Sequence, residues 1–398
     1  MSVTAAEGFQ AAGLACGIKP DGRPDLALVV TSDHRPVTAA GVFTSNRVAA
    51  APVQVSRRHL DDGRAAAVVL NSGNANAATG EPGRVAARRM CELTAAGLGC
   101  EAADVLVCST GLIGVPLPTG PLEAGIPALT DALGAGGREE GARAAAEAIM
   151  TTDTVAKEAT ANVAGSGAMV GGMAKGAAML APAMATMLAV VTTDAAVEAG
   201  ALREALAVAV ESSFNHLCID GAQSTNDTVI ALAGGAVGGR AIGVGGSAFH
   251  AFVDALGTVC ASLAEQMALD AEGATKLARI VVRGARSPAD ARRAARAVAL
   301  SQLVQCSLNG EDPYWGRVLA ELGASGAELD PEGVDIAYNG VVVCRDGMAA
   351  PHDAAAVAAA MRRREIEIRC DLHRGDHDSV VTTTDLSYGY IDENRTTS

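Results

Sequence analysis

Hydrophobic positions along the chain change their spacing repeatedly, and the changes mark out elements. Asp25–Thr31 and Ala65–Leu70 are short apolar runs with β-branched residues, which predict strands. Around them the first 80 residues read as short strands and turns, with Asn71-Ser-Gly-Asn-Ala-Asn76 as a turn-forming loop. Helical spacing appears over Gly83–Leu98, Leu122–Leu133 and Glu139–Met150. Val105–Cys108 is a short strand running into Ser109-Thr110-Gly111, a strand-terminating turn. Thr151-Thr-Asp-Thr154 breaks the helix before it, because such side chains compete for backbone hydrogen bonds. Asn162–Met173 predicts a hairpin turning at Gly165-Ser-Gly167.

Further along, Ala195–Ser213 and Ser247–Leu269 predict helices, with the loop Ile219–Thr228 between them. Ile280–Val282 is a strand, and the composition shifts near Gly284–Pro288. That shift predicts a main domain of residues 1–284 and a smaller one of 285–398. In the second, Ala289–Leu300 and Ala354–Arg362 read as helices, and Val334–Tyr338, Val341–Cys344 and Val380–Tyr390 as strands. Glu365-Ile-Glu-Ile368 alternates as a half-buried strand does. The class is mixed, α/β or α+β. Gly176–Thr193 carries no charge and reaches the length of a membrane span. Its Pro182, its three threonines and its alanines predict a buried segment of a soluble protein instead.

Composition narrows the function classes. At 398 residues, two domains are expected. Hydrophobic residues at 49% against 19% charged supply a large core and exclude global disorder. A net charge of −14 without a basic tract argues against nucleic acid as partner. The nine cysteines are odd in number, lack CxxC spacing and follow no signal segment, so free thiols in a cytoplasmic protein are expected. Only Lys19, Lys157, Lys175 and Lys276 are lysines, and Lys175 and Lys276 stand in Gly/Ala-rich apolar surroundings. A compact ammonium there is not interchangeable with a guanidinium.

Several motifs fail on inspection. Gly165-Ser-Gly167…Gly171 lacks the strand, helix and acid of a dinucleotide fingerprint, so a hairpin turn is the better reading. His373, Asp376, His377 and Asp378 surround Gly375 and read as a solvated turn rather than a metal site. There is no Walker loop, no G-x-S-x-G elbow and no HExxH motif.

The informative segment is Lys175-Gly-Ala-Ala-Met-Leu-Ala-Pro-Ala-Met-Ala-Thr186. A threonine hydroxyl is a weak nucleophile unless a base sits beside it. At a new chain N-terminus it brings its own: the free α-amine, with a pKa of about 7.7–8.0. That chemistry requires scission of Ala185–Thr186. The plain alternative is a buried Thr186 bonding to a neighbouring carbonyl.

The chain resembles the ornithine acetyltransferase family, also called bifunctional ArgJ or glutamate N-acetyltransferase, over essentially its whole length. Besides the Thr186 segment, the resemblance rests on Val68-Val-Leu-Asn-Ser-Gly-Asn-Ala-Asn76, Cys108-Ser-Thr-Gly-Leu-Ile-Gly114, Ile149-Met-Thr-Thr-Asp-Thr154 and Ser224-Thr-Asn-Asp-Thr228. It continues through Glu272-Gly-Ala-Thr-Lys276, Asp312-Pro-Tyr-Trp-Gly-Arg317 and Asp385-Leu-Ser-Tyr-Gly-Tyr390. The resemblance implies an α/β fold, an α+β sandwich of the DmpA/ArgJ type, with a smaller C-terminal α/β domain whose tail returns to the active site. It implies self-cleavage at Ala185–Thr186 into chains 1–185 and 186–398, assembled as a heterotetramer of two of each. Thr186 would then carry the acetyl group, and Thr110 and Gly111 would form the oxyanion hole. Lys175 would bind a substrate carboxylate, and Thr151 would be a substrate contact, with Thr152 the alternative one register on. Glu272 would meet an ornithine ammonium, unless Lys276 is its partner at i+4. Asn394 and Ser398 would be the tail contacts, although only four residues follow Asn394, which puts Ser398 in doubt.

The activity so implied is acetyl transfer from N-acetyl-L-ornithine to L-glutamate in arginine biosynthesis, with no cofactor. Acetyl-CoA enters only as a substrate of a bifunctional enzyme. A DmpA-like aminopeptidase and a non-enzymatic binding relative are the competing readings.

Overall fold

The computed structural model describes residues 2–179 and 187–395. They fall into two compact units. The first holds residues 2–179, 187–215 and 222–267, and the second holds 216–221 and 268–395. The main segment of the second unit begins at Ala268, upstream of the composition shift at Gly284–Pro288.

The first unit is built on two sheets. One joins β1 (Phe9–Leu14), β2 (Leu26–Thr31), β5 (Ala67–Asn71) and β6 (Val105–Ser109) in that order. The other has the order β4-β3-β10-β9-β8-β7. Its strands are β3 (Val37–Phe43), β4 (Arg64–Ala65), β7 (Lys157–Asn162), β8 (Met169–Lys175), β9 (Leu188–Val197) and β10 (Thr228–Ile242). A shared core holds them face to face, with Val29, Val68 and Leu106 from the first sheet against Met173, Val190 and Ile230 from the second. Helices α2 (Gly80–Leu98) and α3 (Thr119–Asp131) cover the outer face of the first sheet, through Met90, Cys91, Ile126 and Leu129. Helices α5 (Ala199–Glu211) and α6 (Gly246–Leu269) belong to the second sheet's side, where α5 packs on β3 and Val259 of α6 on Gly172 of β8. The result is the layered α/β sandwich expected.

The abundance of Ala and Gly has a local purpose. Helix α4 (Gly137–Ala148) lies so close to β1 that a Cβ on Gly13 would stand 2.1 Å from the Ala144 carbonyl oxygen. Such contact brings backbones together and gains dispersion over many small atoms.

Three expectations need correction. Ala51–His59 is a helix, α1, where strands and turns were expected; Pro52 in its first turn presets the helical φ. The helix expected from Ala195 starts at Ala199, because Ala195–Val197 completes β9. The last strand ends at Thr384, and Tyr388–Glu393 is a helix capped by Ser387. The uncharged stretch Gly176–Thr193 was expected to be buried, and in its described part Leu188–Thr193 is buried strand. Among the described residues, one helix, α6, is long and apolar enough to cross a membrane, and its Phe252, Val259, Leu263 and Met267 are fully buried in this unit.

The second unit is a six-stranded sheet. Its order is β14 (Met348–Ala349), β13 (Val341–Arg345), β12 (Asp335–Tyr338), β15 (Glu365–Asp371), β11 (Leu277–Ala285) and β16 (His377–Thr384). Helices α7 (Pro288–Leu300), α8 (Gln302–Asn309), α9 (Trp315–Ala324) and α10 (Ala354–Met361) pack on it through one apolar core. The terminal helix of this unit, Tyr388–Glu393, is α11.

Candidate active site

Strands β5 and β6 run parallel with Asn71 opposite Ser109, so their C-terminal loops emerge side by side. Ser109 Oγ donates to Asn71 Oδ1 at 2.6 Å, and the Thr110 N–H donates to the Asn71 carbonyl at 3.0 Å. Gly111 sits at φ +128°, and a Cβ there would lie 2.3 Å from the Gly73 carbonyl carbon. Only glycine lets the two loops approach this closely. The Thr110 side chain is buried, and among the described residues its hydroxyl has no hydrogen-bond partner. A buried unmet donor is unfavourable in a resting protein by about 1–3 kcal/mol. It is what an oxyanion hole presents before its anion forms.

The loop before β10 ties this turn to the start of β9. Asn226 Nδ2 donates to the carbonyls of Ser109 (2.8 Å) and Ala75 (2.7 Å). The next residue, Asp227, accepts the Met187 N–H on Oδ1 at 3.0 Å. Parallel pairing of β10 with β9 sets this register, because Thr228 lies opposite Leu188 and its N–H reaches the Met187 carbonyl. Asp227 is fully buried, and among the described residues its Oδ2 has no hydrogen-bond partner. Burial pushes this carboxyl well above the ordinary range, against the Met187 N–H, the nearby Ser224 hydroxyl and the Lys175 charge. Ala185 and Thr186 themselves lie outside the described residues.

A second buried carboxylate organises the end of β8. Asp153 Oδ1 accepts from Lys157 Nζ and from the Gly176 N–H, both at 2.7 Å, and Oδ2 accepts the Thr151 N–H at 3.0 Å. Lys175 Nζ stands 3.7 Å from Oδ2 and donates to Thr151 Oγ1 at 2.6 Å. Burial would raise the Asp153 carboxyl, but the Lys175 and Lys157 ammonium groups and these hydrogen bonds outweigh it and hold it below the ordinary range. The structure thus joins Thr151 to Lys175, while Thr152 is exposed.

In the second unit, Asn394 Nδ2 donates to Glu272 Oε2 at 2.7 Å, bringing two expected residues together. Lys276 is not the partner of Glu272: its Nζ bonds Glu311 Oε1 at 2.7 Å and the Met361 carbonyl at 3.0 Å. Ser398 lies outside the described residues. His373 is exposed, and no group of three or more His, Cys, Asp or Glu among the described residues is placed to hold a metal ion. All nine cysteines are free thiols.

Sequence reading assigned no role to Asp153, Lys157, Asn226 or Asp227. The signals were present in Thr151-Thr-Asp-Thr154 and Ser224-Thr-Asn-Asp-Thr228, but polar motifs do not reveal which carboxylate is buried.

Comparison with known proteins agrees with the motifs. The ArgJ family model matches residues 10–396. The arginine biosynthesis bifunctional protein ArgJ of Symbiobacterium thermophilum is 47% identical over 391 residues, covering 98% of this chain and 96% of that protein. Its counterpart in Streptomyces coelicolor is 47% identical over 394 residues, covering 99% of each. Among solved structures, ornithine acetyltransferase complexed with ornithine from Mycobacterium tuberculosis is 48% identical over the matched part. That match covers 46% of this chain and 94% of the solved one, with a TM-score of 0.43. With nearly the whole chain matched by the family model and by relatives this similar, the chain belongs to the ArgJ family.

Proposed function

We propose that this enzyme transfers an acetyl group from N-acetyl-L-ornithine to L-glutamate through an acetyl-threonine intermediate on Thr186. The observation that carries this reading is the buried, unpartnered Thr110 hydroxyl beside Gly111, tied through Asn226 and Asp227 to the start of β9. In the first step Thr186 Oγ attacks the acetyl carbonyl carbon, and the free α-amine takes the hydroxyl proton. The negative charge that develops on the acetyl oxygen is met by the Thr110 hydroxyl and the Gly111 N–H. Preorganised donors of this kind lower the barrier by about 2.7–4 kcal/mol each. Ornithine leaves with the proton, and glutamate then takes the acetyl group by the reverse steps. Splitting one amide exchange into two acyl transfers predicts ping-pong kinetics.

The remaining residues bind. Lys175, beside Asp153 and braced on Thr151, suits a substrate carboxylate. Glu272, with Asn394, suits an ammonium group, and Ser398 is assigned to the same end of the substrate. The chemistry itself calls for no metal or redox cofactor. The active protein is the pair of chains 1–185 and 186–398, two of each, in the cytoplasm.

Intact-mass spectrometry under denaturing conditions tests the mechanism. Two fragments meeting at Ala185–Thr186 are expected, and Thr186→Ala is expected to stay whole and without transferase activity. An active single chain would sink the proposal. The relatives' description as bifunctional favours a second activity, acetylation of glutamate by acetyl-CoA. Release of CoA in the presence of glutamate and acetyl-CoA would establish it, whereas cleavage of aminoacyl nitroanilides without acetyl transfer would point to an aminopeptidase.

A further inference from the structure

Lys175 Nζ and Thr151 Oγ1 stand 2.6 Å apart, and the proposed function puts a substrate carboxylate on Lys175. Whatever fixes Thr151 is therefore part of substrate recognition. The peptide group joining Met150 to Thr151 is planar, so holding its two ends sets the direction in which the Thr151 side chain leaves. Its N–H is held by Asp153 Oδ2 at 3.0 Å. Its carbonyl is held by Lys19 Nζ at 2.7 Å. The next peptide along is held as well, since Arg23 Nη1 donates to the Thr151 carbonyl at 3.3 Å.

Lys19 is a costly anchor. It is 6% exposed, and its other hydrogen bond goes to the Pro24 carbonyl at 2.7 Å, so both of its acceptors are neutral. Asp25, the buried carboxylate of the same loop, is taken up by the main-chain N–H groups of Cys16, Gly17, Ile18 and Lys19. An ammonium buried without a carboxylate on it is unfavourable. Burial and the Arg23 charge push that of Lys19 down to about 8. A methionine would fill the space without this penalty. Pro24, Met150 and Lys19 line a cavity of about 950 Å³, large enough for water to replace the ammonium on the two carbonyls. Stability alone does not call for a lysine here. The stem is braced on the neighbouring loop, because a Cβ on Gly73 would lie 3.1 Å from Lys19 Cγ. Gly73 is also the residue against which Gly111 packs.

We infer that Lys19 is a positioning residue for substrate binding: by holding the Met150 carbonyl it aims the Thr151 hydroxyl at Lys175, and so sets where Lys175 meets the substrate carboxylate. Thr151 Oγ1 accepts from Lys175 Nζ, which stands 3.7 Å from Asp153 Oδ2. With the Met150–Thr151 peptide free to turn, Lys175 loses that brace and closes on Asp153, away from the substrate. The plain alternative is capping. Met150 follows the last turn of α4, and a cation there satisfies a carbonyl at a helix end.

This inference rests on the reading of Lys175 as the binder of a substrate carboxylate, and the two can fail separately. Lys175→Met should raise KM for N-acetyl-L-ornithine and for L-glutamate. If it does not, that reading falls and the positioning role with it. If it does, Lys19→Met tests Lys19 itself. The variant is expected to keep its denaturation midpoint and to show KM raised about 10–100-fold for both substrates, with kcat nearly unchanged. An unchanged KM, with or without a lower midpoint, would leave capping alone and overturn the assignment. A cycle with Thr151→Val decides a mixed result. A residue that acts through Thr151 adds nothing once that hydroxyl is gone, so the double variant should match Thr151→Val in kcat/KM. Losses that multiply would show that Lys19 acts by another route and would be equally fatal. Should Lys19→Met fail to fold, Lys19→Gln takes its place in the same cycle, its amide filling the space but stopping short of the Met150 carbonyl.

Discussion

Asp153 and Asp227 are both buried aspartates of the first unit, and they are treated in opposite ways. Asp153 accepts three hydrogen bonds and lies beside two ammonium groups, so every lone pair of consequence is engaged. Asp227 accepts one hydrogen bond from Met187 and leaves an oxygen unmet among the described residues. The first arrangement fixes charge in place; it sets where Lys175 and Thr151 stand. The second leaves a buried carboxyl, pushed above the ordinary range by burial, with one oxygen uncommitted among the described residues. Charge that is saturated serves as scaffold, and polarity left unmet marks a place where chemistry supplies the missing partner. Thr110, with its unpartnered hydroxyl, belongs with Asp227 in this contrast.

Removing the saturated carboxylate should do the most damage to folding. Asp153→Ala takes the carboxylate away from Lys157 and Lys175 in a buried site and is expected to destabilise the protein by about 3–5 kcal/mol. Chemical denaturation would read it, and a loss under about 1 kcal/mol would mean the network behaves like a surface pair. Thr110→Ala should do the reverse. Its kcat is expected to fall about 10²–10³-fold, while its denaturation midpoint stays level or rises, because an unmet buried hydroxyl has been removed. Equal losses of stability and rate would put Thr110 in the scaffold class.

The pH dependence of stability separates the two aspartates further. The Asp153 carboxyl lies below its unfolded value of about 3.9. Its stabilising effect is therefore full above about pH 4 and is lost as pH falls toward the folded value. The gap between wild type and Asp153→Ala should narrow on acidification. Asp227 has the opposite sign. Its carboxyl is raised in the folded state, so stability falls as pH rises from the unfolded value through the folded one. Asp227→Asn should accordingly melt higher at pH 7, by about 2–4 °C, with the gain vanishing below about pH 4. A lower melting temperature at pH 7 would show that burial does not raise the Asp227 carboxyl at a net cost to the fold.

The sandwich and the motif residues were legible in the sequence for different reasons. Helices α2 and α4 and the β7–β8 hairpin follow from spacing and turn chemistry. The long strand β10 went unassigned because its second half, Gly234 to Ile242, carries four glycines and is mostly exposed, a composition that reads as loop. Thr110, Gly111, Thr151, Lys175, Glu272 and Asn394 were reached through family motifs, not through periodicity. Asp153 and Asp227 stayed silent because their importance comes from burial and from partners distant in sequence, such as Gly176 and Met187. No local pattern encodes those contacts.

The strand order of the second sheet has a consequence for assembly. In β4-β3-β10-β9-β8-β7, a cut after residue 185 assigns β9 and β10 to one polypeptide and the four flanking strands to the other. The two middle strands are then clamped on both sides by ladders from the other chain. The fragments would migrate as one particle under native conditions and part only when the sheet is unzipped. Once parted, they must find each other before the sheet can re-form. A folding reaction that was unimolecular in the precursor becomes dependent on concentration in the mature protein, so recovery after denaturation should fail on dilution for the cut enzyme and succeed for the uncut Thr186→Ala chain.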